Sequence, residues 1–367
     1  MTGAGAMTVL HAVLPDSVDD PRRPSGGNVY DRRVLDGLRD LGWEVHEHLV
    51  PTPWPRVDPA ARGLLESIVS GCPDGALLLV DGLVVSAGPE VLAAAGARLR
   101  LVVLSHMPLG HADDAAAAGE RAVLAHASGV VATSRWTRDW LAEHHGVPAQ
   151  RVRVAVPGVD PAPTAVGTKD GGGLLCVAAV TPGKGHDVLL RALEGVSDLT
   201  WRCTCVGALD VDPEYADGLR RAAEDRSLGD RLTFTGPLTG EALDRAYAAA
   251  DVLVLPSRGE TYGMVIAEAL ARGLPVVCTE VGGVAEVFGP GGDRDRPGLL
   301  VPVGDAVALA DALRAWLSEP PLRTRLRRSA RRRRDSLPGW PDAARVLSEA
   351  LSAVRSEPPR RPIRMGK

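Results

Sequence analysis

The sequence contains few aromatic residues and almost no lysine. Its 367 residues include 2 Phe and 4 Tyr, and lysine occurs only at positions 169, 184 and 367. Arginine is abundant by comparison, and the chain holds 41 Gly and 29 Pro. This bias is typical of a genome rich in guanine and cytosine, so a lysine that is retained against it suggests a chemical role.

The sequence also lacks any apolar run long enough to cross a membrane, which takes about 20 residues. The first seven residues lack the basic start of a signal peptide. We therefore expect a cytoplasmic protein without a transmembrane segment. The formal net charge of −4 gives no reason to expect a nucleic-acid partner. Peripheral membrane binding would need apolar anchors beside basic residues, and we do not expect it.

Cysteine is sparse and odd in number, which argues against a disulfide framework. We expect buried free thiols in a reducing compartment at Cys72, Cys176, Cys203, Cys205 and Cys278. Two of them, Cys203 and Cys205, alternate along a predicted strand and have no CxxC motif or histidine cluster as a partner. A zinc site is therefore not expected.

The length allows two domains with separate cores. Strand-like and helix-like segments alternate in both halves, as in parallel sheets with helices on both faces. In the first half the predicted strands are 8–14, 43–49, 76–80, 99–104, 129–132 and 152–156. In the second half they are 174–180, 200–206, 232–235, 252–255, 275–279 and 298–301.

We therefore predict an α/β protein with two doubly wound, Rossmann-like domains, over residues 1–160 and 174–335. Residues 157–173 are rich in Pro and Gly without periodicity, and are predicted to be an interdomain linker. An arginine cluster at 323–334 is predicted to be a solvated helix face, with a functional basic patch as the alternative. A last amphipathic helix is predicted from residue 340.

The most informative segment runs from Ser257 to Glu286. It follows a buried strand and places Glu260 in a tight glycine-containing loop at the carboxyl end of that strand, where α/β sheets bind ligands. Gly263 then begins an amphipathic helix that carries Glu268 in its second turn. Two carboxylates therefore bracket the start of a helix.

The start of that helix suits an anion. The unpaired backbone N–H groups of Gly263, Met264 and Val265 can bind a phosphate or diphosphate, and a carboxylate can accept hydrogen bonds from paired sugar hydroxyls. Eight positions at a helical rise of 1.5 Å correspond to roughly 12 Å. That span fits a nucleotide-sugar with Glu268 on the ribose and Glu260 on the transferred sugar. The alternative is that both glutamates are ordinary solvated residues.

These residues carry a resemblance to a known family. The pattern Glu-x7-Glu, followed by Gly282, Gly283 and Glu286, resembles the donor-site signature of retaining glycosyltransferases of the GT-B fold, specifically glycosyltransferase family 4 (glycosyl transferases group 1). The resemblance implies two Rossmann-like domains facing across a cleft. It also implies an acceptor-binding N-terminal domain, on which helix 340–356 packs back, and a donor-binding C-terminal domain.

Lys184 follows the first strand of the second half, so it can meet a diphosphate as a compact positive charge. The resembled family has PxKG here, as this chain does, and usually an arginine a few residues earlier. That position is Ala179 in this chain, and Arg258 and Arg135 are the candidates to replace the missing cation. The absence of the family arginine weakens the case for sugar transfer, because catalysis depends on stabilising the departing diphosphate.

The first half supplies further candidates that match the family. Gly26 and Gly27 precede the first predicted helix and can bring bare backbone close to a phosphate or an acceptor, although a plain turn fits nearly as well. His106 follows a buried strand, where the family places a histidine that contacts the donor sugar near the reacting carbon. Arg135 matches a cleft-facing segment. No carboxylate nucleophile is evident near His106, so the resemblance implies front-face attack in which the leaving phosphate assists proton removal.

Two Asp-x-Asp triplets, at 210–212 and 293–295, spell the motif with which transferases of another fold hold divalent cations. Both lie in Pro- or Gly-rich loops without the strand context of that motif. We predict turns there and no metal site. His186 is predicted to cap the helix that begins near Asp187.

The resemblance implies a retaining, metal-independent glycosyltransferase that uses a nucleoside-diphosphate sugar, needs no cofactor, and acts on an unidentified acceptor such as a small molecule or natural product. The implied catalytic residues are His106, Lys184 and Glu260. The implied donor-binding residues are Gly26, Gly27, Arg135, Lys184, Glu260, Thr261, Gly263, Met264, Val265 and Glu268. Two alternatives stay open: another enzyme on the same fold, such as a nucleotide-sugar epimerase or a glycan phosphorylase, and a nucleotide-sugar-binding protein with weakened catalysis.

Overall fold

A computed structural model describes residues 8–22, 24–52, 58–292 and 295–356 of the chain. These residues divide into two compact units. The first comprises the described residues of 8–19, 25–158 and 338–356, and the second comprises those of 20–24 and 159–337. Each unit contains one six-stranded sheet and its own buried apolar core.

The sheet of the first unit is parallel throughout, in the order β2-β1-β3-β4-β5-β6. Its strands are β1 (Thr8–Pro15), β2 (Trp43–Val50), β3 (Leu77–Asp81), β4 (Arg100–Ser105), β5 (Gly129–Ala132) and β6 (Val152–Val154). The helices between them are α1 (Gly26–Asp40), α2 (Pro59–Gly71), α3 (Pro89–Ala95), α4 (Leu109–Ala112), α5 (Asp114–His126) and α6 (Arg135–His145). Because β3 and β5 are buried at every position, helices and loops must cover both faces of the sheet centre.

The second unit repeats this architecture, with the parallel strand order β12-β11-β10-β7-β8-β9. Its strands are β7 (Gly173–Val177), β8 (Arg202–Val206), β9 (Leu232–Gly236), β10 (Val252–Leu255), β11 (Val276–Thr279) and β12 (Gly298–Val301). Its helices are α7 (His186–Glu194), α8 (Pro213–Asp225), α9 (Gly240–Ala249), α10 (Met264–Ala271), α11 (Val284–Phe288), α12 (Ala306–Ser318) and α13 (Pro320–Arg334). The strand order reverses direction beside β7, and such a switch point is where open α/β sheets bind ligands.

The last helix, α14 (Trp340–Ser356), belongs to the first unit and packs on α1. A Cβ atom at Gly37 of α1 would lie 2.4 Å from the Cβ of Ala344, so glycine permits the close approach of the two helices. The indole Nε1 of Trp43 donates a hydrogen bond to Ser348 Oγ at 2.9 Å. Among the described residues, no helix combines the length and apolar character needed to span a membrane.

All twelve predicted strands are present, with ends that differ by a few residues. The start of the first helix differs in a way that affects the site. Ser25 is its N-cap, with Oγ accepting a hydrogen bond from the Asn28 N–H at 3.1 Å. Gly26 and Gly27 therefore lie in the first turn of α1 and not in a loop before it, so that prediction is wrong.

The predicted linker is largely part of the second unit. The buried carboxylate of Asp251 accepts hydrogen bonds from the N–H groups of Thr168 and Gly173, at 3.0 and 2.9 Å. The N–H groups of Ala165 and Val166 donate to backbone carbonyls of Arg272 and Ala248. Composition predicted a structureless connection, but these bonds fix most of it to the body of that unit.

The arginine cluster at 323–334 is a solvated face only in part, because some of its arginines are exposed and others bond within the second unit. Arg327 donates to the carboxylate of Asp251 at 2.7 Å. Arg323 and Arg333 donate to the backbone carbonyls of Trp316 and Val287, at 2.9 and 2.7 Å. Several guanidinium groups of α13 are thus structural hydrogen-bond donors within the second unit.

The five cysteines are free and buried, as predicted. The structure does bring a histidine to two of them, which the sequence did not indicate: ligand atoms of Cys176, His186 and Cys205 lie within 4.8 Å of one another. The hydrogen bond with Cys205, together with burial, raises the pKa of Cys176 well above the usual range. The hydrogen bond with Cys176 lowers the pKa of Cys205, but the hydrogen bond with Cys203 and burial outweigh it and raise that pKa well above the usual range. Both thiols are therefore held in the neutral form. His186 is the first residue of α7, behind Gly185 at the N-cap, and the prediction that it caps this helix is wrong.

Candidate functional site

Two loops at the carboxyl ends of the neighbouring strands β7 and β10 bring Lys184 and Glu260 together. The Nζ atom of Lys184 lies 2.7 Å from Glu260 Oε1, and Ser257 Oγ donates to the same oxygen at 2.8 Å. The Glu260 side chain is 11% exposed and that of Lys184 is 34% exposed. The carboxylate is therefore the more enclosed partner, and the ammonium group stays accessible to an anion.

The loop that carries Glu260 is shaped by Gly282 and Gly283, which follow β11. The Gly283 N–H donates to the Glu260 carbonyl at 2.9 Å. Gly282 has φ +56°, and a Cβ atom there would lie 1.9 Å from the same carbonyl oxygen. A Cβ atom at Gly283 would lie 2.1 Å from the carbonyl oxygen of Thr261. Only glycine fits this contact, which gives the glycine pair of the signature a physical explanation.

Arg258 holds the loop of Lys184 in place. Its backbone N–H donates to the Gly183 carbonyl at 2.8 Å, and its guanidinium forms two hydrogen bonds with Asp187, at 2.8 and 2.7 Å. The hydrogen bond from Arg258, assisted by one from Tyr215, lowers the pKa of Asp187 to about 2. Arg258 is one of the two candidates to replace the family arginine that is missing at Ala179. It is bound in an ion pair with Asp187.

The start of α10 lies in the same region of the second unit. Gly263 adopts the left-handed conformation, with φ +93°, as its N-cap. The first N–H groups of a helix have no acceptor within it, and here they belong to Met264 and Val265. These two residues and Thr261 are half-buried.

Glu268 lies in the second turn of α10, where Tyr247 Oη donates to its Oε2 at 2.8 Å. Burial raises the pKa of Glu268, while the hydrogen bond from Tyr247 and the charge of Arg272 oppose this shift. The Arg272 guanidinium stacks on the Tyr247 ring, 4.4 Å from its centroid. The carboxylate is therefore held by a buried phenol in one orientation.

The first unit contains a second cluster, centred on His106. Its Nε2 atom lies 2.7 Å from Asp31 Oδ1 and 3.2 Å from Asp81 Oδ2. Asp31 belongs to α1, Asp81 ends β3, and His106 follows β4, so three elements meet at the carboxyl edge of the sheet. The sequence did not indicate that two carboxylates lie beside His106. Both acids are almost fully buried, at 1% and 3% exposure.

Charge and burial compete in this cluster. Burial alone would lower the pKa of His106, but the charges of Asp31 and Asp81 and the hydrogen bonds to them outweigh it and raise that pKa to about 10. Burial also raises the pKa of Asp31 to about 7, although the charge of His106 opposes the shift. The two aspartates thus favour the cationic form of the imidazole.

The remaining candidates of the first unit lie near helix starts. A Cβ atom at Gly27 would lie 3.4 Å from His106 Cδ2, so the glycine packs against the imidazole, with Gly26 preceding it in α1. Arg135 is the first residue of α6 and is exposed. Its N-cap, Ser134, accepts a hydrogen bond from the Thr137 N–H at 3.0 Å.

Sequence reasoning missed Asp31 and Asp81, although both left a signal. Asp31 lies on the buried face of α1 with Val34, Leu35 and Leu38, and an acid on an apolar helix face needs a partner. Asp81 ends a fully buried strand, the same position that drew attention to the loop of Glu260.

The Asp-x-Asp triplets have different positions. Asp212 caps α8, with Oδ1 accepting a hydrogen bond from the Tyr215 N–H at 3.1 Å. Asp293 lies outside the described residues, and Asp295 forms an ion pair with Arg332 at 2.8 Å. Asp212 and Asp295 therefore act in a helix cap and an ion pair.

Two protein-family profiles match the chain. The family described as "Glycosyl transferases group 1" matches residues 168–333, which include Lys184, Glu260 and Glu268. The family described as "Glycosyltransferase Family 4" matches residues 83–163, which include His106 and Arg135. The chain belongs to these glycosyltransferases. Asp31 and Asp81 lie outside both matched ranges.

Among curated relatives of this glycosyltransferase chain is the D-inositol 3-phosphate glycosyltransferase of Pseudarthrobacter chlorophenolicus, 32% identical over 251 residues. That match covers 64% of this chain and 58% of the relative. D-inositol 3-phosphate glycosyltransferase 1 of Catenulispora acidiphila is 33% identical over 267 residues, covering 67% of this chain and 62% of the relative. The chain thus spans about three fifths of the length of these relatives.

Solved structures resemble this chain over nearly its full length. Sucrose-phosphate synthase from Thermosynechococcus elongatus has a TM-score of 0.75 at 22% identity, covering 94% of this chain and 98% of that one. HepE of Anabaena in complex with UDP-glucose has a TM-score of 0.76 at 18% identity, covering 94% and 99%. At these identities the likeness concerns the fold, and it confirms the GT-B prediction.

Proposed function

We propose that this chain is a retaining glycosyltransferase that moves a sugar from a nucleoside-diphosphate sugar to an acceptor, without a bound metal ion or other cofactor. The observation that carries the proposal is the ion pair of Lys184 with Glu260, located in the same unit as the amide-rich start of α10. The names of the curated relatives support sugar transfer, and the UDP-glucose complex of HepE supports the donor class.

In this proposal the second unit binds the donor. The N–H groups of Met264 and Val265 bind the diphosphate at the positive end of the helix dipole. Glu268, held by Tyr247, accepts the ribose hydroxyls. Glu260 accepts hydroxyls of the transferred sugar, and donor binding draws Lys184 from the carboxylate to the phosphates.

Lys184 then acts on the chemical step. Negative charge grows on the leaving diphosphate as the glycosidic bond breaks, and a fixed ammonium group stabilises that charge most where it is largest. Arg258 supports this step by holding the lysine loop through Asp187 and Gly183. The lysine loop is therefore anchored even though Ala179 occupies the position where the family usually has an arginine.

The proposed mechanism is front-face attack by the acceptor. Asp31 and Asp81 are the carboxylates beside His106, but both are buried and bonded to its Nε2 atom. Asp81 also accepts the Leu83 N–H at 2.7 Å. A carboxylate held in this way has no path to a sugar carbon, so these acids are not proposed as nucleophiles. The leaving phosphate assists removal of the acceptor proton.

A thermal-shift screen of UDP-, GDP-, dTDP- and ADP-sugars tests donor binding, because a ligand that binds the native state raises the melting temperature by mass action. A shift of several degrees with one nucleotide series, lost in Glu268→Ala and retained in Lys169→Ala, supports the proposed site. No shift with any series contradicts it.

Transfer is tested separately with the donor that binds. Acceptors are screened by mass spectrometry for a gain of one sugar, beginning with D-inositol 3-phosphate, the compound in the relatives' names. NMR of the anomeric proton of the product then shows whether configuration is retained. Tight donor binding without transfer to any acceptor would favour the alternative of a binding protein with weakened catalysis.

A further inference from the structure

We propose that Asp31, together with Asp81, holds His106 as an imidazolium whose Nδ1–H is a hydrogen-bond donor to the substrate, and that Asp31 is therefore a positioning residue. The inference rests on the proposed transferase function for its kinetic consequence. The holding of the imidazole by the acids can be measured without any substrate.

The geometry sets the orientation of the ring. Both carboxylates approach the same nitrogen, Nε2, at 2.7 and 3.2 Å, which leaves Nδ1 as the nitrogen that they do not use. Ligand atoms of the three residues lie within 4.8 Å of one another. Since the acids contact the nitrogen directly, a proton joins these groups and there is no need for a metal ion between them.

The ring is also fixed by its neighbours. Tyr30 packs edge-on against it, with centroids 5.1 Å apart, and Tyr30 Oη donates to the Ala155 carbonyl at 2.8 Å. A Cβ atom at Gly27 would lie 3.4 Å from Cδ2 and 3.6 Å from Cγ of the ring. Thr133 contacts the His106 carbonyl at 3.4 Å. Within the described part of the chain, the titratable side chains in these contacts with His106 are Asp31 and Tyr30 from α1 and Asp81 from the end of β3.

The charge state decides what His106 can do. A neutral imidazole with its proton on Nε2 would offer a lone pair at Nδ1 and could act as a general base. An imidazolium held by two acids offers N–H at Nδ1 and can only donate. Burial also raises the pKa of Tyr30, so that neighbour is a neutral phenol and does not add negative charge. The two aspartates therefore make His106 a cationic donor, and removal of the acceptor proton is left to another group.

Nitrogen-15 NMR of the histidine rings tests the holding step in the full-length protein. His106 is assigned by comparison with His106→Gln. We expect both ring nitrogens of His106 to stay protonated from pH 6 to 8.5 in the wild type. In Asp31→Asn the titration midpoint of His106 should fall by at least about one pH unit, because a neutral amide replaces the nearer carboxylate. Asp36→Asn, on the exposed side of the same helix, should leave the midpoint unchanged.

Kinetics test the donor role with the donor and acceptor identified for the wild type. Asp31→Asn should lower kcat/KM about 10-fold or more and move the alkaline limb of the pH profile to lower pH. Asp81→Asn should do the same to a smaller extent, since its contact is longer. A purely structural role of Asp31 would lower the amount of folded enzyme and leave the pH profile in place.

The results distinguish a failure of this inference from a failure of the proposed function. A neutral His106 at pH 7.5 in the wild type, or a midpoint that Asp31→Asn does not change, overturns the inference whether or not the protein is a transferase. A kcat/KM that rises with pH as His106 loses its proton shows a base and also overturns it. If no sugar transfer is found but the NMR result is as expected, the proposed function fails and the holding of His106 by Asp31 stands.

Discussion

Lys184 and Glu260 are 76 residues apart in sequence, yet Nζ of the lysine lies 2.7 Å from a carboxylate oxygen of the glutamate. Each side chain satisfies the charge of the other in the ligand-free protein. In the proposed function, the donor replaces this bond on both sides, with phosphate for the ammonium group and sugar hydroxyls for the carboxylate. The proposal therefore links donor recognition and the stabilisation of the leaving group through one ion pair.

We predict that Lys184→Ala lowers kcat about 100-fold or more, because the lost ammonium group stabilises charge that develops in the transition state. Lys169→Ala is the matched control, since this lysine is exposed and lies outside the proposed site. Steady-state kinetics and the melting temperature are measured for both variants. A folded Lys184→Ala protein with wild-type kcat/KM would rule out the proposed role.

For Glu268→Ala we expect a rise in the donor KM of about 10-fold, the cost of losing hydrogen bonds to a charged group. The kcat should change little, since the ribose does not gain charge during the reaction. Glu241→Ala, with a glutamate that is 92% exposed on α9, serves as the control. An equal loss in kcat would place Glu268 in the chemical step instead.

Gly282→Ala should destabilise the protein by about 1–3 kcal/mol, because a Cβ atom must displace the loop of Glu260. The positive φ of +56° adds strain for any residue with a side chain. Donor affinity should fall with stability. Gly218→Ala in α8, where a Cβ atom meets nothing within 4 Å, should be tolerated. Urea unfolding and donor titration are measured for both variants. Equal stability and equal donor affinity in the two variants would contradict this prediction.

The pair of Arg258 with Asp187 predicts a pH-dependent contribution to stability. Since the folded-state pKa of Asp187 is lowered to about 2, the contribution is present above its usual value of 3.8 and is lost as pH falls toward 2. Arg258→Ala should therefore reduce the free energy of unfolding at pH 7 by about 1 kcal/mol, a value that allows for partly exposed partners.

The difference between wild type and Arg258→Ala should narrow when unfolding is measured at pH 3 instead of pH 7. Arg220→Ala removes a more exposed pair with Asp217 and should have a smaller effect at either pH. A difference for Arg258→Ala that is the same at both pH values would mean that the Asp187 charge is not its source.

We expect turnover to persist in excess EDTA, because the proposed site stabilises the diphosphate with Lys184 and helix amides and not with a divalent ion. Activity is compared before and after chelation, then with added magnesium or manganese. Loss on chelation with recovery on adding either ion would show that the proposal of metal independence is wrong.

Much of the fold could be predicted from local sequence. The buried strand at 252–255, the glycine-containing loop after it and the helix that carries Glu268 follow from apolar runs, turn residues and helical periodicity, which depend on neighbours along the chain. The same holds for Lys184 in its loop after β7. These signals placed each residue at the carboxyl end of a strand, where ligands bind.

Contacts between distant segments required the tertiary structure. Periodicity shows that Asp31 faces inward. It does not show that Asp31 forms a hydrogen bond with His106, 75 residues away. Composition marked 157–173 as a linker, but Asp251 holds its end through backbone N–H groups. The sequence likewise does not show that Arg258 forms an ion pair with Asp187. The physical reason is that local propensity decides which element forms, whereas the partner of a buried charge is decided by which elements the sheet brings side by side.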